Sequence, residues 1–354
     1  MDLSRRGMLA LGPIAAGSSM VPLLAAPAGA QAPADAIADP YRVGLLPSQR
    51  HDAAPLGNDV SPQTRAWRAR GKLASVFGNE IYYQRDGRGP TLVFIHGFPT
   101  SSYDWKSVQE DLRRSFDCVI FDLVGFGLSS KPEAWSYSLF QQADTVEGLM
   151  RALGIRSAHI VSHDMGTSVH TELLARKQAG TLTFDLSGST FLNGSVIKGM
   201  ATLNDFQKTL QDASSLQAGM KMVAELMPSY VDRLKQLMAR PEVVTAEERR
   251  VMEDLLAHEQ GNIRLPNVYS YVRERYIHEE RWVGALRKEN GPVQIIWGAA
   301  DPIANIGMGR KLHELVPQAH YTELRNVGHF IPFEAPAEVS AGIRGFIGKI
   351  AERS

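Results

Sequence analysis

A single cysteine, Cys118, excludes an internal disulfide and a cysteine-based metal cluster. Its setting in Cys118-Val119-Ile120-Phe121 is that of a buried strand, so core packing is its expected role. An excess of charge is also missing: 38 Lys and Arg balance 38 Asp and Glu. No basic surface therefore argues for nucleic acid or anionic lipid as a partner. Past the N-terminal segment there is no internal repeat, no low-complexity tract and no apolar run long enough to span a bilayer, which excludes stable membrane insertion of the mature protein. His159, His170, His258, His278, His313 and His320 show no metal-ligand spacing with carboxylates. The run Asp122-Leu123-Val124-Gly125-Phe126-Gly127-Leu128-Ser129 lacks the phosphate-loop lysine and the dinucleotide fingerprint, and reads as a tight loop at a cleft rim. No cofactor and no metal is expected.

What is present begins with a targeting pattern. Ser4-Arg5-Arg6-Gly7-Met8-Leu9 holds a twin-arginine pair, a mildly apolar stretch runs from Met8 to Ala26, and Ala28-Gly29-Ala30 suits signal-peptidase cleavage. Residues 1–30 are thus expected to be a twin-arginine-type signal peptide, with export to a bacterial periplasm. Residues 31–71, rich in Pro, Ala and Gly as far as Ser61, are expected to be a linker or an arm.

From Lys72 the pattern is regular. Leu73–Val76 and Ile81–Gln84 flank Gly78-Asn79 as a hairpin. The continuous apolar run Thr91–Ile95 suits a strand covered on both faces. Helix over 105–114, strand over 118–123, helix over 137–153, strand at 158–161, helix over 167–177 and strand over 182–192 follow. Residues 194–287 change character: helix-rich, charged and bearing Met200, Met220, Met222, Met227, Met238 and Met252. Strand patterning returns at 292–297 and 321–324, with helices over 308–315 and 337–350. The expected fold is α/β: a doubly wound, mostly parallel eight-stranded sheet, from 72–193 and 288–354, with a helical cap over 194–287 inserted after the sixth strand.

The chemistry centres on Ser162-His163-Asp164-Met165-Gly166, between an apolar strand and a helical pattern. A nucleophile at a sharp strand-to-helix turn needs small residues two positions either side, the nucleophile elbow of the α/β-hydrolase fold. With Asp164 at the tip those flanks are Ser162 and Gly166; with Ser162 at the tip they would be Ile160 and Asp164. The carboxylate is therefore the candidate nucleophile. This fold puts acid and then base later in the chain, each after a strand. Asp301, in Ala299-Ala300-Asp301-Pro302, and His329, in Asn326-Val327-Gly328-His329-Phe330, occupy those positions. The backbone N–H groups of Phe98, in His96-Gly97-Phe98-Pro99, and of Met165 are expected to form an oxyanion site, with both side chains lining the pocket and Pro99 in the cis form. The side chain of His163 is expected to point away from the cleft.

These residues resemble the epoxide hydrolase and haloalkane dehalogenase branch of the α/β-hydrolases, and more closely the group that contains the mesoderm-specific transcript protein of animals and its bacterial relatives. The stretches that carry the likeness are HGFPTSSYDW (96–105), GFGLSSKP (125–132), YSLFQQAD (137–144), SHDMG (162–166) and RWVGAL (281–286). The resemblance implies attack by Asp164 on an electrophilic carbon to give an alkyl-enzyme ester, which water activated by His329, held by Asp301, then hydrolyses. Dehalogenases of this branch carry a tryptophan after the nucleophile and often an asparagine after the His-Gly pair; Met165 and Phe98 stand there instead and disfavour halide release. Epoxide hydrolases protonate the opening ring with cap tyrosines, for which Tyr271 and Tyr230 are the candidates. The expected substrate is a small apolar electrophile, most simply an epoxide opened to a diol. An ester or lactone hydrolase, a dehalogenase, or a non-catalytic binding protein on the same scaffold are the alternatives, and the sequence sets no oligomeric state.

Overall fold

The computed structural model describes residues 51–201, 229–261, 267–269 and 271–352. The expected signal peptide, residues 31–50 of the expected linker, and Met220, Met222 and Met227 lie outside them.

Alternating apolar side chains build a sheet that is covered on both faces. In β3 (Thr91–Ile95), Val93 and Ile95 enter one apolar layer while Leu92 and Phe94 enter the other, and all four are fully buried. Strand side chains point alternately to opposite faces, so an unbroken apolar run fits a strand sandwiched between helices. Each such side chain contributes about 1.5–3 kcal/mol relative to exposure. The other strands are β1 (Lys72–Val76), β2 (Asn79–Asp86), β4 (Asp117–Phe121), β5 (Ser157–His163), β6 (Asp185–Leu192), β7 (Val293–Gly298) and β8 (His320–Leu324). Their spatial order is β1-β2-β4-β3-β5-β6-β7-β8, with β2 antiparallel to both neighbours and every later pair parallel.

Helices α1 (Pro62–Arg70), α2 (Lys106–Leu112), α3 (Leu139–Ala152) and α4 (Met165–Ala179) precede β6. Between β6 and β7 the described chain carries α5 (Tyr230–Lys235), α6 (Ala246–Ala257), α7 (Tyr271–Ile277) and α8 (Glu279–Lys288), and no strand. Then come α9 (Ile306–Leu315), α10 (Ile331–Glu334) and α11 (Pro336–Ala351). Among the described residues no helix is long and apolar enough to cross a membrane.

Several boundaries differ from expectation for local reasons. The hairpin turn is Phe77-Gly78, both at positive φ (48° and 82°), and Asn79 already belongs to β2. Two positive φ values match the right-handed twist of the strands that such a turn joins. β4 stops at Phe121 because the Asp122 carboxylate turns aside to accept the N–H groups of Ser102 and Leu128, each at 2.7 Å. Tyr137 has φ of 54°, so α3 starts at Leu139, with Ser138 Oγ accepting from Phe140 N. The expected linker over 31–71 contains an ordered helix. Ser61 caps α1 by accepting from Thr64 N, Pro62 opens it, and Trp67 is buried against Tyr103 with ring centroids 4.8 Å apart. The buried Asp254 of α6 accepts from Ser61 N at 2.8 Å and from Thr64 Oγ1 at 2.7 Å, which ties α1 to the segment between β6 and β7. Composition hid this helix because its contacts are tertiary.

Candidate active site

The turn between β5 and α4 holds Asp164 at φ 46° and ψ −118°, a conformation that costs a non-glycine residue energy and sets its side chain at the tip of the turn. The small flanks have a visible cause. A Cβ added to Gly166 would lie 2.5 Å from the Ile95 carbonyl oxygen and 2.6 Å from that of His96. At Gly97 it would meet the Asp164 Cβ at 2.4 Å. The Asp164 carbonyl accepts from Thr167 Oγ1 at 2.6 Å and from Thr167 N at 3.0 Å, which closes the first turn of α4.

Three strand ends then bring side chains together. Phe98, past β3, donates its backbone N–H to Asp164 Oδ2 at 2.8 Å. Past β8, His329 puts Nε2 3.8 Å from Asp164 Oδ1. Past β7, Asp301 Oδ2 lies 2.8 Å from His329 Nδ1. Asp164 is 5% exposed and His329 3%, so the constellation lies in a low-dielectric setting. The Phe98–Pro99 bond is cis, as the sequence led us to expect.

Burial disfavours a charged His329, but the Asp301 charge, the hydrogen bond to Asp301 and the Asp164 charge outweigh it and raise its pKa. For Asp301 burial acts upward, yet the His329 charge and donors from His329, Asn193 and Ile303 N hold its carboxyl below the usual range. Both neighbouring acids thus favour the protonated form of His329, Asp301 more strongly than Asp164.

Asn193, at the end of β6, is a functional residue the sequence reading missed. Its Nδ2 donates to Asp301 Oδ2 at 2.8 Å and to Gly298 O at 3.1 Å, and its Oδ1 accepts from Gly298 N at 2.7 Å. Its one signal was position, a polar residue ending a strand beside the elbow strand. Glu334 was missed as well. Buried in α10, it accepts from Gly328 N at 3.0 Å and Phe330 N at 3.1 Å, and from Ala239 N at 2.8 Å and Arg240 N at 3.0 Å. His329 N donates to Leu237 O at 2.9 Å, so the histidine loop and the segment after α5 are fastened to each other. Asp104 is a further buried carboxylate, accepting from Thr100 Oγ1, and burial pushes its pKa up to about 7.

A cavity of about 350 Å³ lies over this constellation, lined by Phe98, Asp164, His329, Tyr230, Tyr271 and Arg275 among others. The Phe98 ring packs against Tyr271 with centroids 5.8 Å apart. Burial, with the Asp164 charge contributing, pushes the pKa of Tyr271 well above its ordinary value. Burial and then Tyr269 and Asp164 do the same for Tyr230. Both hydroxyls stay protonated and can donate. The Met165 side chain does not line the cavity as expected. It is fully buried in the apolar layer shared with Ile160 and Val169, because a side chain on the first turn of α4 leans back toward the sheet. His163 is also fully buried, with Nε2 2.7 Å from the His329 carbonyl oxygen.

Residues 90–336 match the alpha/beta hydrolase fold family, and the chain belongs to it. It is a hydrolase of that fold. It is 36% identical to LipZ of Mycobacterium tuberculosis over 279 residues, covering 78% of this chain and 95% of LipZ. The mesoderm-specific transcript protein of Mus musculus is 32% identical over 319 residues, covering 86% of this chain and 93% of that protein. Among solved structures, haloalkane dehalogenase DbeA from Bradyrhizobium elkani superposes with a TM-score of 0.67 at 22% identity, over 80% of this chain and 99% of DbeA. That likeness is one of fold.

Proposed function

We propose that this hydrolase opens epoxides to diols through an ester on Asp164. The observation that carries the reading is the joint geometry of Asp164. One carboxylate oxygen accepts the Phe98 N–H at 2.8 Å, and the other is 3.8 Å from a histidine that is itself 2.8 Å from Asp301. A carboxylate is a competent nucleophile at sp³ carbon, and its ester can be cleaved at the carbonyl by water. Against an amide or ordinary ester it would form an anhydride and gain little.

In this scheme an Asp164 oxygen bonds to a ring carbon as the ring C–O bond breaks, and the leaving oxygen takes the phenolic proton of Tyr271 or Tyr230. Alkylation removes the Asp164 charge, one of the causes that raise His329, so the imidazolium gives its proton back to the tyrosinate. Neutral His329 then takes a proton from water, whose oxygen attacks the Asp164 carbonyl carbon. The oxyanion that forms is held by the N–H groups of Phe98 and Met165. Collapse breaks the ester C–O bond, and the leaving alcohol oxygen takes the remaining proton of the attacking water from the new carboxyl group. Asp164 returns as carboxylate and His329 as imidazolium.

Phe98 offers no side-chain N–H, and the Met165 side chain is buried away from the cavity, which supports an epoxide over a carbon–halogen bond. The testing experiment is a panel of aryl and alkyl epoxides, haloalkanes and esters with wild type and Asp164→Asn. Epoxide turnover that disappears in the variant is expected; turnover of esters alone contradicts the reading.

A further inference from the structure

The cavity wall carries charge that the ring-opening scheme does not use. Arg275, on α7, lines the cavity and is 8% exposed. Its Nε donates to Ser168 Oγ at 2.7 Å, and its Cζ lies 4.6 Å from the centre of the Tyr271 ring. The guanidinium is thus fixed at one edge and stacked on one face. Among the described residues no carboxylate pairs with it, and its Nη2, closed off from solvent, makes no hydrogen bond.

A buried guanidinium without a carboxylate partner is costly, and the group cannot escape by losing its proton. Such a cation is stabilised when a ligand in the cavity brings a negative charge to it. Arg233, exposed and also lining the cavity, adds a second cation where solvent meets the cavity. On its other side Arg275 lines a small second cavity together with Lys198. Asp164 is the one acidic side chain lining the main cavity among the described residues. Charges of one sign arranged from mouth to interior draw in a ligand of the other sign.

We propose that Arg275 is a carboxylate-binding residue, and that the substrate is an electrophile bearing a carboxylate a short distance from the reacting carbon. The carboxylate oxygens accept from the guanidinium where it lines the cavity, while Arg233 guides entry. Arginine suits this role because its planar fork matches a carboxylate. This inference rests on the cavity over Asp164 being the substrate site, and it narrows the apolar substrate expected from sequence to one with an anionic end.

Binding can be measured without turnover, by calorimetry on the full chain with 3-phenylpropionate and its uncharged isostere 3-phenylpropionamide. We expect the carboxylate to bind about 10- to 100-fold more tightly, the range of one charge-assisted hydrogen bond. Arg275→Gln should abolish that preference and Arg275→Lys should keep part of it. A crystal structure of the wild-type 3-phenylpropionate complex should put a carboxylate oxygen within hydrogen-bond distance of Arg275, whether or not either variant folds. Equal affinities in wild type, an unchanged preference in Arg275→Gln, or a carboxylate seated away from Arg275 would overturn the proposal. Selective carboxylate binding without turnover of any epoxide overturns the ring-opening reading and leaves this one standing. Turnover of neutral epoxides without carboxylate preference does the reverse.

Discussion

His163 Nε2 lies 2.7 Å from the carbonyl oxygen of His329, so the residue before the elbow aspartate holds the backbone of the histidine opposite. A carbonyl can only accept, which fixes the proton of His163 on Nε2. Burial, then the nearby His329 charge, holds the His163 pKa down at about 4, so the ring stays neutral and the bond persists at neutral pH. The ring acts through His329 and not on substrate. Replacing it by Phe keeps the bulk and removes one of the two hydrogen bonds at that carbonyl, which also accepts from Ile331 N at 2.9 Å, a loss of about 0.5–1.5 kcal/mol. We expect urea unfolding of His163→Phe to show that loss, with kcat lowered and KM nearly unchanged.

Asn193 gives a sharper test of the acid. Its Nδ2–H stabilises the charged form of Asp301, and a hydrogen bond to a charged group is worth about 1.5–3 kcal/mol. Asn193→Ala should lower kcat about 10- to 100-fold. Asn193→Asp should do worse, since it would set a second negative charge against Asp301. Steady-state kinetics on both variants, with circular dichroism to confirm folding, checks the ordering.

The elbow allows a packing test. Because a Cβ at Gly166 would lie 2.5 Å and 2.6 Å from two backbone oxygens, no rotamer relieves the clash and the strand must move. Gly166→Ala should therefore lower the melting temperature by several degrees or prevent folding. Gly97→Ala meets the Asp164 side chain itself, at 2.4 Å from its Cβ, and should abolish turnover with a smaller loss of stability. Differential scanning fluorimetry beside an activity assay separates the two.

Buried histidines set the acid limit of the fold. Burial pushes the pKa of His159 down to about 3, that of His163 to about 4, and that of His170 well below its ordinary value. Their folded-state values lie below the unfolded one, so the unfolded chain binds more protons. Stability is complete above about pH 6.5 and falls as pH drops, by about 1.4 kcal/mol per pH unit for each ring. Asp104 acts in the opposite sense. Its pKa, raised to about 7, adds stability that is lost as pH rises through that value, and it offsets one histidine. Urea midpoints measured between pH 7 and pH 4.5 should therefore fall steadily.

The legible parts of the chain were those in which one short stretch carries its own constraint. The run Thr91–Ile95 suited a doubly covered strand, and β3 has those bounds. Small flanks on either side of Asp164 implied a sharp turn, and the positive φ is there. Contacts across long sequence separations were not legible. Helix α1 is held by Asp254, distant in sequence, and nothing in its own composition signals that partner. Asn193 and Glu334 act through backbone groups brought near by folding, so their residue types alone say little. The side chain of Met165 was expected in the pocket because it follows the nucleophile; the direction of α4 buries it instead.

Whether Asp164 forms the ester is tested most directly by turning over an epoxide in water enriched in heavy oxygen and analysing the Asp164 peptide by mass spectrometry. Water attack at the ester carbonyl leaves one heavy oxygen in the carboxylate, so label should accumulate on Asp164 over repeated turnovers. In a single turnover the diol should carry unlabelled oxygen drawn from Asp164. Diol labelled in the first turnover, with Asp164 unlabelled after many, would mean that water attacks the substrate directly and would contradict the ester on Asp164.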